Sequence, residues 1–195
     1  MNLSSKIDCF DAILSAARLR SSLPNHFVQF YKAKSALKRN LKVFITSGLE
    51  KGESVILIMT PAHWRSFQVS LIPLVDVTKS VDEGRIVFID ARRLMGELLQ
   101  DGEDRLPIHF AIMVERLLGE SSKMRGKFRV FGELLDILCE RGMIETAIKV
   151  EKIWDYLVKK YQFALFCGYT TDHLKSNPDH ANILSICESH SHLLP

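Results

Sequence analysis

Apolar residues along the chain gather into five short, nearly continuous runs, and between the runs they recur every three or four positions. The runs are HFVQFY at residues 26–31, SVILIMT at 54–60, RIVFID at 85–90, KFRVFGE at 127–133 and QFALFCGY at 162–169. Runs of this length, rich in β-branched and aromatic residues, predict strands buried on both faces. The intervening stretches carry apolar stripes of helical period. Leu37, Leu41, Phe44 and Ile45 mark one, with Gly48 and Gly52 expected to close it. Trp64, Phe67 and Leu71 mark the next, followed by Leu94 and Leu98, and then by Phe110, Val114 and Leu117 after Pro107. Residues 134–140 and 144–161 are expected helices, 101–104 and 175–180 are polar turns, and a short helix begins near Ala181. Strands alternating with helices predict βαβ units with right-handed crossovers. The expected fold class is therefore α/β: a three-layer, mostly parallel, five-stranded sheet with helices on both faces.

Ahead of the first run, Ile7, Phe10, Ile13, Leu14 and Ala17 predict an amphipathic helix within residues 1–24. Such a helix packs on the domain or pairs with its copy in a homodimer. The same stretch carries Asp8, Asp11 and Arg18, which excludes both a signal-peptide core and a membrane span. With 195 residues, 47% hydrophobic and 25% charged, the chain suits one globular domain and no membrane partner. Cys9, Cys139, Cys167 and Cys187 are widely spaced and form no CxxC pair, which fits a reduced, cytoplasmic compartment. The net charge is only +3. Lys32, Lys34, Lys38, Arg39, Lys42 and Lys51 concentrate it on the first crossover, but no stacking aromatics interleave with them. That pattern describes a solvated helix face, and no direct nucleic-acid contact is expected.

In open α/β sheets, ligands sit in the crevice outside the carboxyl ends of the strands. Here those ends carry Tyr31, Thr60, Asp90, Glu133 and residues 167–169. Glu133 follows Gly132 and leads into a helix, so it is either a site carboxylate or a cap for that helix's backbone N–H groups. Glu151 interrupts the apolar stripe of the 144–161 helix. A carboxylate so placed needs a partner or a proton, as a site residue or in a structural pair with an Arg or Lys. The candidate ligand-binding set is His26, Tyr31, Asp90, Glu133, Glu151 and Tyr169. Glu133 and Glu151 are expected to approach each other or to share an Arg or Lys, because a crossover helix packs on the sheet it connects.

Other chemistries lack their residues. The loop Tyr31-Lys32-Ala33-Lys34-Ser35 ends like a phosphate loop but has no glycine to bare its backbone N–H groups. There is no GxSxG elbow and no Ser-His-Asp arrangement, so no catalytic residue is assigned. Cys187, His190 and His192, with His173, Asp179 and His180 upstream, have the residue types of a zinc site. Helical geometry nonetheless turns His192 away from the other two, and neither a metal nor a cofactor is assigned.

The ordered series resembles one family. It comprises HFVQFY, the stretch GLEKGE at 48–53 leading into VILIMTPAH, then RIVFIDA and FRVFGELLDILCERG. It continues with the helix bearing Glu151 and Trp154, then FALFCGY, and ends on Ile186, Cys187, His190, Ser191 and His192. Together these resemble the MEDS domain, a methanogen and methylotroph sensory family, over residues 25–195. The resemblance implies a RecA-like or circadian-clock-ATPase-like core that has lost its phosphate loop and serves as a sensor. The domain division is then an N-terminal helix at 1–24 and a sensory domain at 25–195, with residues 1–24 too few for a helix-turn-helix domain. The function implied is non-enzymatic: binding of a small organic ligand at the carboxyl edge of the sheet, in signal transduction or transcriptional regulation. The partner implied is a histidine kinase or transcription regulator. Lys32 departs from the family, whose members often carry an acidic residue there. The alternatives are a degenerate nucleotide-binding ATPase-like protein, favoured by Glu133 and Lys34-Ser35, and a protein-interaction adaptor using the N-terminal helix.

Overall fold

The computed structural model describes residues 26–121, 127–175 and 180–194. The expected helix within 1–24 and most of the 175–180 turn lie outside the described residues. Six strands form one all-parallel sheet: β1 (His26–Tyr31), β2 (Ser54–Met59), β3 (Ile86–Asp90), β4 (Phe128–Gly132), β5 (Ala164–Thr170) and β6 (His192–Leu194). Their order across the sheet is β3-β2-β4-β5-β1-β6. Five strands are the predicted runs. The sixth corrects the expected count: its three residues, HLL, are too short to show a period, and they join the sheet beside Phe27, Val28 and Gln29 of β1.

Side chains alternate between two cores, as strand geometry requires. Along β2, Val55, Leu57 and Met59 join Phe131 and Phe166 on one face, while Ile56 and Ile58 join Val130, Leu165 and Cys167 on the other. The first face is covered by α1 (Lys34–Glu50), α2 (Pro61–Leu71) and the short α3 (Val77–Asp82). The second carries α4 (Ala91–Leu98), α5 (Leu106–Ser121), α6 (Leu134–Glu140), α7 (Ile144–Tyr161) and α9 (His180–Glu188), with α8 (Thr171–Lys175) leaving the end of β5. The layers are those that the continuous apolar runs predict.

The helices that follow β2 and β3 start at the carboxyl edge, each capped by the side chain that ends its strand run. Thr60 accepts from the His63 N–H at 3.3 Å, with Pro61 in the first turn of α2. Asp90 accepts from the N–H groups of Arg92 and Arg93 at 2.9 and 3.2 Å. Gly48 does not end α1 as expected, since the helix runs on to Glu50 and the left-handed glycine is Gly52, at φ 74°. Gly48 serves close packing instead, because Arg129 lies against its Cα.

Candidate functional site

β4 lies between β2 and β5, so its carboxyl end opens at the centre of the edge. The last strand residue, Gly132, stands opposite both Ile58 and Cys167, and the Glu133 N–H still donates to the Ile58 carbonyl at 2.9 Å. The chain then turns at Glu133, with φ −107° and ψ 1°. The Glu133 side chain gives α6 no capping hydrogen bond. It reaches sideways to the end of β2, where Oε2 accepts from the Thr60 N–H at 3.0 Å and Oε1 pairs with His63 Nδ1. Glu133 is 2% exposed. A carboxylate buried to that degree needs such partners.

One helical turn later, Asp136 forms a second carboxylate–histidine pair, directed to the end of β5 where Glu133 is directed to the end of β2. It accepts from the Thr170 N–H at 2.8 Å, from the Thr170 hydroxyl at 3.0 Å and from His173 Nδ1 at 2.9 Å. Burial raises its carboxyl above the usual aspartate value, and these hydrogen bonds act against the rise. Burial, and then the charge of Asp136, push the neighbouring Tyr31 phenol above its ordinary value, so it stays protonated. Its hydroxyl is buried without a well-aligned hydrogen bond.

Two cavities meet at Glu133 and His63. The larger is a polar cleft of about 480 Å³ that holds both carboxylate–histidine pairs, with Lys34, Arg65, Arg92 and Glu140 on its rim. The smaller is an apolar pocket of about 110 Å³ between α1 and α2, lined by Leu37, Leu41, Met59, Ala62 and Phe67. Lys34, Ala62, His63 and Glu133 border both. The arrangement can receive a small apolar group on one side of the Glu133–His63 pair and a polar group on the other.

The six expected site residues separate into three places. Glu133 lines both cavities, and Tyr31 lies close enough to Glu133 and Asp136 to feel their charge. Asp90 ends the edge strand β3, spends one oxygen on the amides of α4, and borders a separate groove with Phe88 and Arg93. Tyr169, one residue before the end of β5, faces the α6–α7 layer by strand alternation, fully buried and stacked on Phe30 at 5.6 Å. His26 and Glu151 are in that same layer beside Cys167 and His190, and neither lines the cleft. Glu133 and Glu151 share no Arg or Lys: the first pairs with His63 and the second with His190, whose Nε2 lies 2.6 Å from Glu151 Oε1. Each acid leaves the β4–α7 region on a different side, so each meets the histidine of a different crossover.

By sequence His63 and Asp136 had no site role, and His173 stood only among the residue types of a tail zinc site. Two had a signal: Thr60-Pro61 is a helix-start pattern that puts His63 in the first turn at a strand end, and Asp136 follows Glu133 by three residues on a helix. His173 had none, because its partner is 37 positions away.

Fold and site define the class: an open, all-parallel α/β domain with a two-part crevice at its carboxyl edge and no glycine in its first strand–helix turn. Within that class the chain belongs to the MEDS family, whose model, described as the MEthanogen/methylotroph, DcmR Sensory domain, matches residues 25–191. No curated protein and no solved structure matches the chain. Among the described residues, no helix is long and apolar enough to cross a membrane.

Proposed function

We propose that the chain is a non-enzymatic sensory domain that takes a small organic ligand into the crevice at the carboxyl edge, and passes the signal to a histidine kinase or transcription regulator in the cytoplasm. Membership of a sensory family supports the role. The observation that carries the site is the pair of buried Glu133 and half-buried His63 standing between an apolar pocket of about 110 Å³ and a polar cleft. A pocket of that size suits a ligand of a few heavy atoms, with its polar end on the pair and its apolar end against Leu37, Met59 and Phe67.

Thermal-shift screening against short halogenated and one-carbon compounds tests the reading. Ligand at a hundredfold over Kd stabilises a fold by about 2.7 kcal/mol, a shift of roughly 5–10 °C for a domain of this size. The shift is expected in the wild type and lost in Glu133→Gln, whose melting point without ligand stays within a few degrees. No shift with any compound, or the same shift in Glu133→Gln, overturns the site. Lys34, which lines the cleft with Glu133, and Ser35 beside it in the first turn of α1 keep the nucleotide alternative in view. Calorimetric titration with magnesium-ATP decides it, since micromolar affinity would displace the small-ligand reading.

A further inference from the structure

Beneath the other face of the sheet, four side chains from four elements converge. His26 opens β1, Cys167 lies in the middle of β5, Glu151 in the middle of α7, and His190 in the turn between α9 and β6. One ligand-capable atom from each lies within 4.8 Å of all the others, and all four side chains are screened from solvent. Cys167 Sγ is 3.7 Å from His26 Nε2 and 3.9 Å from Glu151 Oε2, and the two imidazole centroids are 4.0 Å apart. His190 donates from Nδ1 to the Ile186 carbonyl at 2.6 Å, which leaves Nε2 with its lone pair turned toward Glu151. The 2.6 Å contact between that Nε2 and Glu151 Oε1 is not aligned as a hydrogen bond, and both atoms are buried.

A proton on His190 would answer the contact with Glu151. It would not explain why a thiol and a second imidazole aim at the same point in an apolar layer. Imidazole binds a metal in its neutral form, through the ring nitrogen that carries no proton. A divalent cation accounts for all four groups. With one thiolate, one carboxylate and two neutral imidazoles its site carries no net charge, which is the condition for burying ions at low cost. Zinc–ligand bonds of about 2.0–2.3 Å in a tetrahedron require ligand–ligand edges of about 3.3–3.6 Å. The two sulfur separations, to His26 Nε2 and Glu151 Oε2, are near that already, whereas the 2.6 Å contact with His190 is made by the other carboxylate oxygen, Oε1, so the carboxylate has to rotate for a single oxygen to serve as the ligand.

We infer that His26, Glu151, Cys167 and His190 form a closed, four-coordinate site for a divalent transition metal of the zinc class, separate from the carboxyl-edge crevice and independent of its ligand. Cys187 and His192, which accompany His190 in the tail, take no part: Cys187 is buried in the core and His192 stacks on Phe27 at 4.9 Å. The site fastens the C-terminal segment to β1, β5 and α7, and metal binding there is linked to folding.

Protein expressed with cobalt, and zinc-loaded protein assayed for metal by mass spectrometry, test the inference. About one metal per chain is expected, with a thiolate-to-cobalt charge-transfer band and the intense visible bands of tetrahedral cobalt. Cys167→Ser and His190→Gln should lose those bands. In the triple variant Cys9→Ser, Cys139→Ser, Cys187→Ser, Cys167 is the sole thiol and the charge-transfer band should persist; this arm decides the matter even where Cys167→Ser fails to fold. Wild-type protein that takes up well under one equivalent, a cobalt spectrum unchanged in Cys167→Ser or His190→Gln, or loss of the band in a folded triple variant, overturns the site.

Discussion

Arg129 shows how one side chain can set the tolerance of its neighbours. It comes from β4, pairs with Glu53, donates to the Phe44 carbonyl at 2.9 Å and the Ser47 hydroxyl at 2.8 Å, and lies 5.2 Å over the Phe44 ring. A guanidinium near the last carbonyls of α1 is favourable there. Its stem fills the space above Gly48, where a Cβ would meet Arg129 Cδ and Nε at 2.8 Å. Alanine in a helix ordinarily gains about 1 kcal/mol over glycine. Overpacking against an anchored side chain costs about 1–3 kcal/mol. Gly48→Ala is therefore expected to destabilise by up to about 2 kcal/mol in urea denaturation, and a more stable variant would mean that Arg129 moves aside freely. At Asp136 the test is pH. Its folded pKa is raised above 3.8, so between that value and the folded one the native state holds a proton that the unfolded chain has released. Stability from this group is thus lost as pH rises through that window. Relative to Asp136→Asn, the wild type should lose stability with rising pH from about 3.8 upward, read from denaturation curves at successive pH values. The opposite slope would show that the bonds from Thr170 and His173 outweigh burial.

Among the elements, β6 is the shortest strand, and its attachment rests on one residue before it. Ser191 accepts from the His26 N–H at 2.8 Å through its hydroxyl, and both its hydroxyl and its N–H donate to the His26 carbonyl at 2.8 Å. The residue is 2% exposed. Ser191→Ala leaves a buried N–H of β1 without its partner, at a cost of about 1–3 kcal/mol. The effect should concentrate at the edge: amide hydrogen exchange is expected to quicken through β6 and the facing amides of β1, and to change little in β2 and β4. Uniform quickening would instead mean that β6 opens only with the whole sheet.

The whole molecule depends most on the larger core, and Trp154 is its largest buried side chain. Its indole meets Phe110 edge-on at 5.0 Å and Phe163 at 6.1 Å, joining α5, α7 and the approach to β5. Trp154→Ala removes about 3–5 kcal/mol, a large part of the roughly 5–15 kcal/mol that keeps such a domain folded. Its urea midpoint should fall steeply, and Trp154→Phe should recover much of the loss. Equal loss in both variants would assign the cost to something other than volume.

What the chain determined by itself is its local order. Apolar runs and stripes marked five strands and the helices between them, and α7 spans Ile144–Tyr161 as its stripe requires, because burial on a fixed period is a property of neighbouring residues. α3 and β6, with six and three residues, are too short to show a period. Only the tertiary structure decided the strand order, and with it the company each site residue keeps. Glu133 finds Thr60 across 73 positions, and His26 finds Cys167 across 141 and Ser191 across 165. Crossovers carry the chain past strands already laid down, so contacts at that range depend on where each helix returns it. That is why a single carboxylate after KFRVFG was visible in the sequence, while its pairing with His63 was not, and why His26 and Glu151, expected at the crevice, meet beneath the sheet.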